Sequence, residues 1–164
     1  MIMRPDVLGN AIDHNYNGGK IIYMSPRGQA LTQQKVRELS KEDNLTIICG
    51  RFEGIDERVL EEYNIEEISI GDYILTGGEQ AAMIMLDAVV RLLPNVLGNA
   101  ASTENESFEN GLLEYPQYTR PIEWKNRKVP EVLLSGHHEN VAKWQKEKAL
   151  QITKERRPDL LENT

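Results

Sequence analysis

Short apolar runs alternate with stretches of helical spacing three times in the N-terminal part of the chain. Ile21-Ile22-Tyr23-Met24, Leu45-Thr46-Ile47-Ile48-Cys49 and residues 67–70 are β-rich and only four or five residues long, which suits buried strands better than helices. Each run breaks into turn-forming residues: Ser25-Pro26-Arg27-Gly28, then Gly50-Arg51-Phe52-Glu53-Gly54, then Gly71 with the Gly77-Gly78 pair. Each break leads into a predicted helix. The first covers residues 31–40, with Thr32 as N-cap and Leu31, Val36 and Leu39 facing inward; the second covers 56–63, with acids in its first turn; the third covers 81–93. A smaller helix is expected after Pro5, and residues 15–19 read as a turn.

This alternation predicts an α/β domain with a parallel sheet and helices on both faces. Ligands of such sheets bind beyond the carboxyl ends of the strands, so the three glycine-bearing breaks are expected to lie together. None contains Gly-x-Gly-x-x-Gly or a P-loop, which argues against a dinucleotide or triphosphate site of the usual kind. They offer backbone amides, apolar surface and the charged side chains Arg51 and Glu53, a setting for a small, largely apolar cofactor with one heterocycle.

Beyond Pro94 the pattern changes. Residues 98–111 are polar, rich in Asn, Ser and Glu, with Phe108 as the one large apolar anchor, and read equally as a functional loop or a linker. A short strand is predicted at 131–134, then a helix through Lys148 capped by Ser135, with Val141, Trp144 and Leu150 apolar. Trp144 reads as core rather than as a stacking platform. His137 and His138 are adjacent rather than four apart, which argues against a metal site on that helix.

A net charge of −7 argues at first against a nucleic-acid partner. The average hides a division, because residues 120–157 hold ten basic residues against five glutamates, a local +5. That segment reads either as a polyanion-binding face or as a solvated helix face with i,i+4 pairs such as Lys143 with Glu147. The single Cys49 excludes an intramolecular disulfide and fits a reducing compartment; no apolar run approaches the ~18 residues of a membrane span, and residues 1–10 have no signal-peptide core. The sequence reads as cytoplasmic, with no membrane association.

Four motifs narrow the reading. Cys49-Gly50-Arg51-Phe52-Glu53-Gly54-Ile55-Asp56-Glu57-Arg58, Ser69-Ile70-Gly71-Asp72-Tyr73-Ile74-Leu75-Thr76-Gly77-Gly78-Glu79, Tyr118-Thr119-Arg120-Pro121 and Leu133-Leu134-Ser135-Gly136 closely resemble the bacterial tRNA (guanine-N1)-methyltransferases. The resemblance runs along nearly the whole chain. It implies methyl transfer from S-adenosylmethionine to N1 of guanosine 37 in tRNA, with the involvement of Mg2+ left open. It also implies a trefoil-knotted, SPOUT-like fold, where general connection rules predict an unknotted sheet, and a homodimer whose active sites draw residues from both subunits. The organisation it implies is a knotted cofactor-binding domain over residues 1–97, a flexible catalytic linker over 98–118 and a small helical tRNA-binding domain over 119–164. Family members are expected to begin with a further strand, helix and glycine-rich loop, and to continue past Leu160-Leu161-Glu162, so the chain is expected to lack both ends.

By the same resemblance, the methyl donor sits among Tyr23, Ser25, Pro26, Gly50, Ile70, Gly71, Asp72, Tyr73, Ile74, Leu75, Gly77 and Gly78. Glu106 falls where the family carries its catalytic aspartate, Arg91 matches an arginine beside the target base, and Glu53 matches the acid that contacts the guanine. Position 52, usually Tyr in the family, is Phe here. Guanine N1 carries a proton at neutral pH, so the reaction needs a base and a group that stabilises charge growing on O6. Two other readings stand beside this one: a non-catalytic fragment or RNA-binding remnant of the same fold, and an unrelated cofactor-binding enzyme acting on a small molecule.

Overall fold

A computed structural model describes residues 1–96 and 106–162. The first eight residues of the expected linker, 98–105, lie outside the described residues, as do Leu97, Asn163 and Thr164. The chain divides into two units, Met1–Gly98 and Asn99–Thr164.

The first unit is an α/β structure around a three-stranded parallel sheet in the order β2-β1-β3, where β1 is Lys20–Ala30, β2 Leu45–Ile48 and β3 Glu66–Ser69. Four helices complete it: α1 Pro5–Asn15, α2 Gln33–Leu39, α3 Glu57–Glu62 and α4 Glu79–Val90. Alternation along central β1 sends neighbouring side chains to opposite faces. Ile22 and Met24 pack with Ile68 against Val36 and Leu39 of α2 and Ala81, Ala82, Met85 and Val89 of α4. Ile21 and Tyr23 pack with Ile48 against Leu8 and Ile12 of α1 and Val59 and Leu60 of α3. The sheet therefore has helices on both faces, as the periodicity predicts. Ile22, Leu39, Ile68 and Met85 are fully buried, and burial of such a side chain is worth roughly 1.5–3 kcal/mol.

Helix starts follow local chemistry. Thr32 Oγ1 accepts the Lys35 N–H at 3.2 Å, and the Asp56 carboxylate accepts the Arg58 N–H at 3.0 Å. The Arg58 guanidinium also hydrogen-bonds Asp56 and holds its carboxyl well below the usual range, at about 2.

One strand differs from its prediction. The sequence places a break after Met24, yet β1 runs on to Ala30. Met24 and Gln29 both oppose Ile68, so the residues between them leave the ladder as a bulge before Ala30 pairs with Ser69. Pro26 cannot donate to a ladder, and a Cβ on Gly28 would lie 2.4 Å from the Glu67 carbonyl carbon and the Ile68 nitrogen. The breakers mark the bulge, and the strand resumes beyond them.

The second unit contains a hairpin of β4 Glu123–Trp124 and β5 Arg127–Lys128, then α5 Glu131–Leu134, α6 His138–Arg156 and α7 Asp159–Glu162. The predicted strand at 131–134 is the single helical turn α5. Pro130 precedes it, the Leu133 N–H bonds back to the Pro130 carbonyl at 3.0 Å, and this short apolar run carries no periodicity that separates strand from helix. Ser135 caps no helix start; it ends α5, its hydroxyl donating to the Val132 carbonyl at 2.7 Å and accepting the His137 N–H at 3.2 Å. In α6 the buried residues are Ala149 and Thr153, while Leu150 is exposed and Trp144 half-buried beside Tyr118, ring centroids 6.2 Å apart. The hairpin is an element the hydrophobic pattern does not predict.

Candidate active site

The three breaks of the first unit line one cavity of about 350 Å³. Its wall includes Tyr23 of β1, Ser25 and Pro26 from the β1 bulge, Gly50 and Glu53 from the loop after β2, and Ile70, Gly71, Tyr73, Ile74, Leu75, Gly77 and Gly78 from the loop after β3. The parallel strands bring these loops to one end of the sheet, with β1 between its partners, the arrangement that opens a crevice in such sheets.

The loops are fastened by backbone. The Gly78 N–H donates to the Gly50 carbonyl at 3.0 Å, and Arg51 pairs with Gly77 in an antiparallel bridge. A Cβ on Gly78 would stand 3.0 Å from the Cys49 Cα, so only glycine allows this approach without displacing backbone. The loop after β3 is braced from within: Ser69 Oγ accepts the Gly71 N–H at 3.2 Å and donates to the Gly71 carbonyl at 3.1 Å, and the Tyr73 hydroxyl donates to the Ile70 carbonyl at 3.3 Å. With the backbone so held, Tyr73 and Ile74 remain exposed at the cavity.

Charged groups ring the opening. Arg27 donates to Glu57 at 3.0 Å and to Glu67 at 3.2 Å, joining the bulge to α3 and β3. Arg51 donates through Nε to Glu79 Oε1 at 2.9 Å, joining the second loop to the start of α4. The Arg27–Glu57 and Arg51–Glu79 pairs are largely solvated, so their contribution to stability is small and their effect is to orient the loops. The Glu79 carboxyl is held below its usual range by its own backbone N–H and by Arg51. Burial raises the Tyr23 hydroxyl above the usual tyrosine range, with Glu67 adding to the rise and Arg27 opposing it. Burial also raises the Cys49 thiol, with Glu79 contributing.

The expected site residues divide by position. Glu53 is exposed on the cavity wall, its N–H donating to the Met1 carbonyl at 3.1 Å. Asp72 is exposed in the third loop and Arg91 is half-buried as the C-cap of α4; neither belongs to the cavity wall. Glu106 lies in the second unit, beside a tightly bonded turn in which Ser107 Oγ accepts the Glu114 N–H at 3.0 Å and the Phe108 N–H donates to the Leu112 carbonyl at 2.7 Å. Leu113 is tied to α6 through its N–H and Thr153 Oγ1 at 2.9 Å. Sequence reasoning missed Arg27, Glu57 and Thr76, all of which line the cavity. The signal for the first two was present as a cation in the first break and an acid-rich start to α3.

The cavity suits a small ligand with both an apolar heterocycle and polar ends. Its volume lies in the range of small-molecule sites, roughly 300–1,000 Å³, and its wall mixes Ile70, Ile74 and Leu75 with loop backbone and the carboxylates of Glu53 and Glu57. Among the described residues no group of three or more His, Cys, Asp or Glu side chains is arranged to hold a metal ion, and no helix is long and apolar enough to cross a membrane.

Comparison with known proteins agrees with the motifs. Residues 1–163 match the model of the family described as tRNA (Guanine-1)-methyltransferase TrmD. Among curated relatives, a tRNA (guanine-N(1)-)-methyltransferase of Mesorhizobium japonicum is 58% identical over 98% of this chain and 71% of its own length. Proteins of the same name from Ruegeria pomeroyi and Agrobacterium fabrum are each 57% identical, over 98% and 100% of this chain and 68% and 72% of their own lengths.

Proposed function

The chain belongs to the tRNA (guanine-1)-methyltransferase family, and from that membership we infer that it transfers a methyl group to N1 of guanine in tRNA. We take the donor to be S-adenosylmethionine, the target to be guanosine 37 and the compartment to be the cytoplasm. The observation that carries this reading is the cavity where the β1 bulge and the loops after β2 and β3 converge, the two loops falling within motifs shared with the family. S-adenosylmethionine bound there supplies a methyl group already activated on a sulfonium centre.

The work left to the chain is to hold the guanine and remove its N1 proton. Glu106 takes that proton, since a neutral guanine N1 has no free lone pair in the ring plane with which to attack. Arg91 favours negative charge on O6 as the proton leaves, and Glu53 hydrogen-bonds the guanine edge. With S-adenosylmethionine bound, the loops braced at Ser69 and Gly78 would hold and orient it, and such orientation of reactants supplies much of the rate. In this assignment the first unit is the knotted donor-binding domain, residues 98–118 are the linker carrying the base, and the remainder grips the tRNA.

The catalytic unit is a homodimer in this reading. The outward side of α4 supports it, because Met83, Ile84, Leu86 and Val90 are all exposed there, apolar residues around Asp87 and away from the face that packs on the sheet. A second copy covers that side and brings its own residues to the site.

Glu106→Gln tests the assignment. Methyl transfer is expected to fall by roughly 100- to 10,000-fold, the usual worth of a general base, while calorimetry shows S-adenosylmethionine binding unchanged. Undiminished transfer would remove Glu106 from the chemistry. A chain that binds tRNA and donor yet never labels guanine would instead be an RNA-binding remnant of the fold.

A further inference from the structure

The β4–β5 hairpin carries a combination of groups that the methyl-transfer site does not use. Trp124 and Arg127 oppose each other across the ladder and flank a two-residue turn, Lys125-Asn126, in which both residues have positive φ, the signature of a type I′ connection. The Val129 N–H donates to the Ile122 carbonyl at 2.9 Å and closes the base of the hairpin. A hairpin with two residues in each strand gains little from pairing alone. Yet it displays a tryptophan 60% exposed, next to an exposed Ile122. A large ring left in water contributes little to the fold that carries it.

The surroundings of that ring are cationic. Lys125 Nζ stands 4.8 Å from its centroid, and Arg127 is its cross-strand neighbour. Lys128 faces Glu123 at 3.8 Å, a solvated pair that exchanges readily for another anion. Between residues 120 and 128 there are four cations, Arg120 included, against the one carboxylate of Glu123. An apolar protein partner seated on Trp124 would strip water from these cations without compensation. A nucleic acid offers phosphates to the cations and the face of a base to the ring, and both components are favourable in single-stranded recognition.

We propose that the hairpin is an RNA-stacking finger, in which Trp124 stacks on an unpaired base of the tRNA substrate while Lys125, Arg127 and Lys128 hold the neighbouring phosphates. This rests on the tRNA reading above and extends it to a contact outside the donor cavity.

The test uses the full chain in which Trp144, one of the two tryptophans, is changed to Phe, leaving Trp124 as the only indole reporter. Emission is followed on titration with tRNA and, separately, with heparin, a polyanion without bases. Saturable quenching by tRNA and little change with heparin are expected. In parallel, filter binding is measured for the unsubstituted chain, Trp124→Ala and Trp124→Phe. The alanine variant is expected to bind tRNA roughly 5- to 150-fold more weakly, the range for one stacked base, with most of the affinity restored by Phe. Equal tRNA affinity for Trp124→Ala and the unsubstituted chain, or equal quenching by heparin and tRNA, would overturn the stacking contact and leave the methyl-transfer reading intact. Absence of tRNA binding by the unsubstituted chain would overturn both. Thermal melting of the variants, expected to stay within a few degrees of the unsubstituted chain, separates lost contact from lost fold.

Discussion

The two units present their candidate ligand surfaces by opposite means. In the first, the cavity wall is largely backbone held by backbone: the β1 bulge returns to β3 through the Leu31 N–H and the Ser69 carbonyl at 2.8 Å, and Gly78 bonds to Gly50 at 3.0 Å. In the second, the exposed chemistry is carried by side chains on a two-residue ladder, with Trp124 and its cations reaching into solvent. Substitutions in the two surfaces therefore separate folding from function. Altering the first surface disturbs the sheet that forms it, whereas altering the second removes a contact and leaves the fold standing.

Gly28→Val should break the first surface most severely. The added Cβ meets β3 backbone at 2.4 Å, where no flexible side chain can give way. The expected cost lies at or above the upper end of the roughly 1–3 kcal/mol typical of overpacking. Thermal denaturation and calorimetric titration with S-adenosylmethionine should show lower stability and lost donor binding together; intact binding would mean that the bulge does not shape the cavity.

A smaller effect is expected inside the second unit, where one buried hydroxyl fastens the turn after Glu106. Thr153 Oγ1 accepts from Leu113 and donates to the Ala149 carbonyl at 2.7 Å, and its side chain is fully buried. Thr153→Val leaves the Leu113 N–H without that partner, at a cost near the lower end of roughly 1–3 kcal/mol because Leu113 is only half-buried. Urea unfolding measures it, and hydrogen exchange at Leu113 should accelerate. Unchanged exchange would show that the turn is held by other contacts.

The mildest test is alkaline pH. Cys49 and Tyr23 both have folded-state pKa values raised above those of the unfolded chain, so the native state binds more protons. Their contribution to stability is therefore fully present below about 8.5 for cysteine and about 10 for tyrosine, and declines as pH rises through the folded values. Stability should begin to fall above about pH 8.5, and Cys49→Ala should postpone the onset. An onset that Cys49→Ala leaves unmoved would show that the thiol is not the first group to titrate against the fold.

The same contrast explains what could be read from the sequence. Apolar period and turn residues are local signals, so the helices and parallel strands of the first unit were legible, as was the convergence of its three breaks. The continuation of β1 was hidden because Pro26 and Gly28 signal a stop, while the return to β3 depends on a neighbour about forty residues away. α5 was misread because Val132, Leu133 and Leu134 form an apolar run too short to show a period. The hairpin was missed because Lys125-Asn126 lacks the usual Asn-Gly signal. The roles assigned to Arg91 and Glu106 came from family motifs, since a cation at a helix end and a carboxylate in a polar stretch have ordinary structural explanations.

Methyl transfer to guanosine 37 is measured by incubating the chain with labelled S-adenosylmethionine and two tRNA transcripts that differ only in G or A at position 37. Label is expected in the G transcript alone, on N1 of that base. Equal label in both, or none in either despite measurable donor binding, would contradict that assignment.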